Sequence, residues 1–216
     1  MEVDMLYLNH ITLQRSHSQM KDYDQEWDTI LGIKTTGRDD SISDLTHFPY
    51  EPTDYRVLEM LAGTGYIGKG NTVLDYGCGK GRVSFFLSSQ TKCLSIGIEY
   101  NPRLLERAEL NKKQAAKGHF VKFVQSDAAD FAVPSGADRA FFFNPFSVDL
   151  LRIVMANLFV SLQEQPREIL LFFYYPSESY LDYLNRLPRL QLLDTLDCRL
   201  DSSSDAREKL LVYRMQ

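Results

Sequence analysis

Residues 73–82 constrain the fold of this chain more than any other segment. They read VLDYGCGKGR, an apolar pair and the carboxylate of Asp75 followed by Gly77, Gly79 and Gly81 at every second position. An apolar helical pattern begins directly afterwards. This order predicts a buried strand, a tight loop and a helix N-terminus, an arrangement that lets the backbone approach a ligand closely.

The glycine spacing separates this loop from two other nucleotide-binding loops. A dinucleotide-binding loop has the pattern Gly-x-Gly-x-x-Gly, whereas here the third glycine falls one residue early and Arg82 takes its place. A phosphate-binding loop needs Ser or Thr after Gly-Lys, but Gly81 follows Lys80. Residues 63–68 do match Gly-x-Gly-x-x-Gly, but a helical pattern precedes them and a strand pattern follows. We interpret residues 63–68 as a connector.

Strand and helix patterns alternate along the rest of the chain. The strand patterns cover residues 72–75, 93–99, 120–125, 140–143 and 169–174. Asn101 and Pro102 are a typical cap and first residue of a helix, and Gly118 is a typical helix end. Near-continuous apolar strands in such an alternation predict a parallel sheet covered on both faces. Alternating apolar residues near 196–200 and 211–215, separated by a polar turn, predict a C-terminal antiparallel hairpin.

Residues 1–60 differ from the remainder because they are polar and have no strong strand signal. Tyr23, Trp27, Ile30 and Leu31 have the spacing of an amphipathic helix, and Thr53 is a candidate helix cap. We therefore expect an N-terminal helical extension at 1–60 and a main domain at 61–216. The extension either only packs on the sheet or forms a lid that shapes the binding pocket.

Composition excludes several classes of function. The net charge of -5 gives no overall positive field for nucleic acid, although a local basic patch could still bind it. The three cysteines and four histidines lack metal-site or disulfide spacing, so we expect no metal. No signal-peptide pattern is visible, and the longest apolar run, residues 169–175, is too short to span a bilayer. We expect a cytoplasmic protein without a membrane partner, and the sequence leaves its oligomeric state open.

Residues 73–82 resemble motif I of the class I S-adenosylmethionine-dependent methyltransferases: an apolar pair, an acid, any residue, then Gly-x-Gly-x-Gly. Judged by the order of its motifs, the resemblance covers roughly residues 50–216. It implies an α/β fold with a doubly wound, seven-stranded, mostly parallel sheet whose last strand is reversed. It also implies S-adenosylmethionine as the cofactor and direct transfer of the sulfonium methyl group to a nucleophile.

The resemblance also assigns cofactor-binding residues, which should lie at the carboxyl ends of the strands. It implies that Asp75 accepts the methionine ammonium, Glu99 the ribose hydroxyls and Asp127 the adenine amino group, with Asp130 as a competing candidate for the last role. The full set of expected cofactor residues is Asp75, Tyr76, Gly77, Cys78, Gly79, Gly81, Glu99, Tyr100, Asp127, Ala128 and Asn144.

Asn144-Pro145-Phe146 resembles motif IV of amino-methylating members of the family, although the usual second proline is missing. The resemblance implies that Asn144, Pro145 and Phe146 are catalytic, holding the acceptor amine and stacking on the substrate. From the residues alone, Asn144 could instead cap the next helix and Phe146 could belong to the core. Four aromatic residues are expected to line the substrate pocket: Tyr50, Phe146, Tyr174 and Tyr175.

These features predict a methyltransferase that acts on an amine nitrogen of a protein, a small molecule or an RNA or DNA base. Tyr50-Glu51-Pro52 is similar to a Tyr-x-Pro element that precedes motif I in small lysine methyltransferases. Two alternatives remain open. A non-catalytic adenosyl-binding module would keep the three acidic residues but lack a working acceptor pocket. A nicotinamide-dependent oxidoreductase would need a different glycine spacing.

Overall fold

The computed structural model describes residues 17–40, 46–115, 120–199 and 203–216, with only the backbone described for residues 17–22. The helices of this part of the chain are α1 (His17–Leu31), α2 (Tyr55–Gly63), α3 (Arg82–Thr91), α4 (Pro102–Gln114), α5 (Val148–Glu164) and α6 (Glu178–Leu184). The strands are β1 (Thr72–Tyr76), β2 (Leu94–Glu99), β3 (Val121–Gln125), β4 (Arg139–Phe143), β5 (Ile169–Tyr174), β6 (Leu190–Asp197) and β7 (Lys209–Met215).

The seven strands form one sheet in the order β3-β2-β1-β4-β5-β7-β6. Strands β1 to β5 are parallel to one another, and β7 pairs antiparallel with both β5 and β6. The predicted α/β fold, with its mostly parallel seven-stranded sheet and C-terminal antiparallel hairpin, is confirmed. Strand order reverses between β1 and β4, and such a reversal opens a crevice at the carboxyl ends of the strands.

Helices cover both faces of the sheet, and successive residues of β1 pack against the helices on opposite faces. Leu74 packs in one apolar cluster with Leu151 of α5. Its neighbour Val73 packs in the opposite cluster with Leu58 of α2 and Phe86 of α3. Successive residues of a strand point to opposite faces, so an apolar run without polar alternation is what a sheet buried on both sides requires.

Of the two helix caps predicted from the sequence, one is confirmed and the other is wrong. Asn101 caps α4 as predicted, its side chain accepting from the amide of Arg103 at 2.9 Å. Asp54, not Thr53, caps α2, and Thr53 is buried. The helix end expected at Gly118 lies outside the described residues. Helix α4 ends before that point, at Gln114.

The N-terminal extension packs on α2 and α3 through aromatic side chains. The ring of Trp27 lies 5.8 Å from that of Tyr55 and 5.0 Å from that of Phe86. Tyr23 and Trp27 both donate hydrogen bonds to one carboxylate oxygen of Glu59 on α2. Helix α1 is thereby joined to α2, which begins within the extension, and to Phe86 of the main domain. No helix in the described ranges has the length and apolar character needed to cross a membrane.

Candidate cofactor site

A cavity opens at the carboxyl ends of β1, β2 and β4, beside the reversal in strand order. The cavity is lined by ten of the expected cofactor, catalytic and substrate-pocket residues: Tyr50, Asp75, Tyr76, Gly77, Cys78, Glu99, Tyr100, Ala128, Pro145 and Phe146. Six others lie outside this lining: Gly79, Gly81, Asp127, Asn144, Tyr174 and Tyr175. The first group comes from five separate segments of the chain, which the fold brings together.

The glycine loop after β1 is tightly enclosed. Gly77 and Gly79 have φ angles of 73° and 54°, in the left-handed region that side chains disfavour. A Cβ atom on Gly77 would lie 2.5 Å from the side chain of Pro145, and one on Gly79 would lie 2.1 Å from the ring of Tyr50. These two glycines are therefore required by close approach as well as by backbone conformation.

Glu99 ends β2 and joins the glycine loop to the start of α4. It is 8% exposed, and its two carboxylate oxygens accept from the amides of Gly79 and Asn101, each at 2.8 Å. Burial raises its pKa above the usual value, and these amide hydrogen bonds oppose that shift. Each carboxylate oxygen has a second lone pair, so the group can still accept ribose hydroxyls.

Asp75 ends the apolar run of β1 inside the cavity. It is 2% exposed and accepts a hydrogen bond from the hydroxyl of Ser84, in the first turn of α3, at 2.7 Å. Burial raises the pKa of Asp75 to about 7. A carboxylate held at the edge of ionisation by burial gains strongly from a cationic ligand, which the ammonium group of the cofactor would supply.

Asp127 follows β3 as expected, and a residue of the N-terminal extension meets it. One oxygen of Asp127 accepts from the amide of Ala129 at 2.9 Å, and the other lies 3.5 Å from Nε2 of His47. The His47 ring stacks on Tyr100, with centroids 4.1 Å apart and planes 10° apart. Sequence reasoning missed His47 because an isolated histidine in a polar segment has no periodic or spacing signal.

Residues 46–53, here called the strap, run along one side of the cavity. The amide of Phe48 donates to the carbonyl of Pro145 at 3.2 Å, and the amide of Ser147 donates to the carbonyl of Thr46 at 2.8 Å. The strap therefore pairs with the loop after β4. Seven residues of the strap and two of that loop line the cavity beside Tyr100 and Glu99.

Asn144 ties the ends of β4 and β5 together. Its φ angle is 40°; its amide nitrogen donates to the carbonyl of Tyr175 at 2.6 Å, and its amide oxygen accepts from the amide of Ser177 at 3.2 Å. The interpretation of Asn144 as a helix cap is wrong, because Ser147 caps α5. A direct contact of Asn144 with an acceptor stays a prediction, and such a contact would have to share or replace these two hydrogen bonds.

The aromatic residues expected in the substrate pocket separate into two groups. Tyr50 and Phe146 line the cavity, and Phe146 is also 2% exposed and packs in the core. Tyr174 packs in the opposite core cluster, while the hydroxyl of Tyr175 donates to Asp205 at 2.7 Å. A pocket role for the last two tyrosines stays a prediction.

The residues present fit S-adenosylmethionine. Buried carboxylates stand at the ends of β1 and β2, a third acidic residue follows β3, and three glycines with positive φ angles form the turn after β1. The cofactor carries a sulfonium and an ammonium group against one carboxylate, so acidic side chains suit its net positive charge. Within the described residues, no group of three or more His, Cys, Asp or Glu side chains could hold a metal ion.

Comparison with known proteins agrees with this geometry. Residues 67–170 match the model of a family described as "Methyltransferase domain". No curated protein matches the sequence.

Solved structures share the fold at low sequence identity. The chain is similar to an RNA methyltransferase from Salinibacter ruber in complex with S-adenosyl-L-homocysteine, with 22% identity, a TM-score of 0.50, and coverage of 76% of this chain and 92% of that one. It is also similar to a TehB-like methyltransferase from Corynebacterium glutamicum, with 17% identity, a TM-score of 0.54, and coverage of 93% and 100%. A third similar structure is the mitomycin 7-O-methyltransferase MmcR, with 13% identity, a TM-score of 0.56, and coverage of 74% of this chain and 53% of that one.

The family match contains the glycine loop and the ends of β1 to β4, and the structural matches share the sheet that positions them. Residues 67–170 therefore match a methyltransferase domain, the chain has the fold of S-adenosylmethionine-dependent methyltransferases, and its site residues fit S-adenosylmethionine as the cofactor.

Proposed function

We propose that this protein transfers the methyl group of S-adenosylmethionine to an amine nitrogen of a protein, a small molecule or a nucleic-acid base. The observation that carries the proposal is the convergence of Asp75, Glu99, Pro145 and Phe146 around one cavity. The methyl group would pass directly to the acceptor, and the protein would contribute orientation and exclusion of water.

In this proposal the cofactor lies across the strand ends in a fixed direction. Asp75 takes the methionine ammonium, Glu99 takes the ribose hydroxyls, and Asp127 with the amide of Ala128 takes the adenine edge. The strap covers the cofactor, with Tyr50 against the glycine loop and His47 against Tyr100 at the adenine end. The extension thus acts as a lid that completes the site, and does not only pack on the sheet.

The acceptor would approach between the strap and the loop after β4. Phe48, Phe143 and Phe146 all line the cavity there, and Phe48 is 43% exposed. Aromatic faces suit a planar or a cationic amine. Nitrogen is preferred because Asn144-Pro145-Phe146 resembles the motif of amino-methylating enzymes. Proteins of similar fold include an O-methyltransferase, so the test below distinguishes a nitrogen from an oxygen acceptor. Location in the cytoplasm likewise stays a prediction.

The test is transfer of labelled methyl groups into an extract of the source organism, separated afterwards into protein, RNA, DNA and metabolites. Label should enter one fraction and, after hydrolysis of that fraction, elute with an N-methylated amine or base. Asp127→Ala, assayed in parallel at limiting cofactor, should reduce the labelling. Label that elutes as a methyl ether, or that mild base releases as methanol from a methyl ester, would overturn the choice of nitrogen.

Two other functions have clear signatures in the same experiments. Tight binding of S-adenosylhomocysteine without transfer to any fraction would support the non-catalytic adenosyl-binding module. Stronger binding of a nicotinamide dinucleotide than of S-adenosylhomocysteine would support the oxidoreductase, which the spacing of Gly77, Gly79 and Gly81 argues against.

A further inference from the structure

Two non-glycine residues with a left-handed backbone conformation meet at the ends of neighbouring strands. Asn144 directly follows β4 and Tyr175 directly follows β5, and their φ angles are 40° and 50°. The third such residue in the described ranges, Lys92, ends α3, where this conformation is common. Asparagine tolerates a positive φ, but a residue with a bulky ring seldom adopts one unless its surroundings impose it. The conformation of Tyr175 therefore needs an explanation in its contacts.

The backbone of Tyr175 orients the side chain of Asn144. The amide nitrogen of Asn144 donates to the carbonyl of Tyr175 at 2.6 Å, and the amide oxygen accepts from the amide of Ser177 at 3.2 Å. Both polar atoms of this side chain are thus engaged by the segment that follows β5. Pro145 and Phe146, the next two residues after Asn144, line the cavity. Whatever fixes Asn144 therefore also fixes the start of the cavity wall that they form.

The side chain of Tyr175 is held by the turn between β6 and β7. Its hydroxyl donates to a carboxylate oxygen of Asp205 at 2.7 Å, and the guanidinium of Arg207 lies 4.5 Å from its ring centroid. Arg207 donates to the same oxygen of Asp205 at 2.7 Å. The amide of Tyr175 donates to the carbonyl of Lys209, where β7 begins, at 3.0 Å. The ring and the backbone of Tyr175 are thus held together, which accounts for its left-handed conformation.

The contacts of the Tyr175 ring suit a role in positioning better than a role in stability. The side chains of Asp205 and Arg207 are 31% and 53% exposed, and exposed ion pairs contribute little to the free energy of unfolding. In contrast, an error of about 1 Å in the placement of reacting groups can lower a rate by about 10²-fold. Asn144 and Tyr175 lie outside the cavity lining, so a change at Tyr175 should leave cofactor binding intact.

We propose that Tyr175 is a positioning residue for methyl transfer. Its carbonyl holds Asn144, and Asp205 and Arg207 hold Tyr175 in turn. This inference rests on the proposed function, in which the acceptor approaches beside the loop after β4. It extends the acceptor side of the site to the turn between β6 and β7. Tyr175 itself touches neither the cofactor nor the acceptor and acts through Asn144.

The test compares the wild-type protein with Tyr175→Phe, which removes only the hydroxyl. With saturating labelled S-adenosylmethionine, the rate of transfer into the accepting fraction of the extract should fall roughly 10-fold. Calorimetry with S-adenosylhomocysteine should show an unchanged affinity. Asp205→Ala should give the same loss of rate, and the double variant should lose no more, because the two groups form one contact.

Tyr183→Phe is the matched control for this substitution. Tyr183 lies on α6 and also has a guanidinium beside its ring, that of Arg152 at 5.5 Å. It loses the same hydroxyl group but belongs to neither of the loops that meet at Asn144. Tyr183→Phe should therefore transfer methyl groups at the wild-type rate.

Nuclear magnetic resonance of isotope-labelled protein checks the route through Asn144 without any methyl acceptor. The side-chain amide signals of Asn144 are identified by their absence from the spectrum of Asn144→Asp. In Tyr175→Phe they should move towards the position of a solvent-exposed amide, because the carbonyl that accepts from this amide is no longer held in place. In Tyr183→Phe they should keep their wild-type position.

The possible results separate this inference from the proposed function. A wild-type rate in Tyr175→Phe overturns the positioning role, even if the Asn144 signals move. A slower rate with unmoved signals overturns the route through Asn144. An affinity for S-adenosylhomocysteine that falls as much as the rate overturns the assignment to the acceptor side. Absence of transfer by the wild-type protein into every fraction overturns the proposed function itself. If Tyr175→Phe does not fold, Asp205→Ala replaces it, and the same results decide.

Discussion

Replacing Glu99 with alanine is expected to destabilise the cofactor-free protein, not only to weaken cofactor binding. The sequence alone leads to a different expectation, namely weaker binding with little loss of fold, because it shows Glu99 only as an acid at the end of a strand. In the structure its carboxylate accepts from the amides of Gly79 and Asn101, each at 2.8 Å. The alanine variant leaves both amides without their acceptor.

The size of the effect follows from these two contacts. A hydrogen bond to a charged group contributes about 1.5–3 kcal/mol, so two of them contribute roughly 3–6 kcal/mol. The raised pKa of Glu99 shows that burying its charge costs part of this gain, and water entering from the cavity would recover more. We therefore expect a net loss of about 2–4 kcal/mol in the free energy of unfolding. Glu99→Gln keeps one acceptor oxygen and should lose about half as much.

Urea unfolding without cofactor, followed by calorimetry on the folded fraction, separates stability from binding. Glu164→Ala on the exposed end of α5 is the matched control and should change the free energy of unfolding by less than about 0.5 kcal/mol. If Glu99→Ala unfolds at the same urea concentration as this control, the two amide contacts are not what holds the loop, and the reasoning fails.

Three further predictions concern single residues of the site. Asp75→Asn should stabilise the cofactor-free protein above pH 7. The pKa of Asp75 in the folded protein is raised to about 7. The wild-type protein therefore loses stability as the pH rises from about 4 through 7, by up to roughly 4 kcal/mol, and the variant does not. Thermal unfolding between pH 5 and 8 checks this, and a variant whose pH dependence matches the wild-type protein would contradict it. Gly79→Ala should abolish cofactor binding because its Cβ would lie 2.1 Å from the ring of Tyr50, whereas Gly136→Ala meets no atom within 4 Å and should bind normally. Asn144→Ala should lower turnover by roughly 10²-fold with cofactor affinity nearly unchanged; normal turnover in a destabilised variant would remove Asn144 from the catalytic residues.

The sequence by itself determined the sheet and the positions of the acids at the strand ends. These features depend on local patterns: the glycine spacing at 77–81, the apolar run that ends at Asp75, and the Asn-Pro start of α4 all act over a few neighbouring residues. The end of β2 at Glu99 is marked in the same way, because the apolar residues stop where the sheet ends.

Only the tertiary structure decided which residues of the extension line the cavity. Thr35 bonds Arg82 across 47 residues of sequence, Tyr50 covers Gly79, and Asn144 bonds the carbonyl of Tyr175 across 31 residues. No periodicity relates residues so far apart, because their contact arises from the packing of separate elements and not from the conformation of either one.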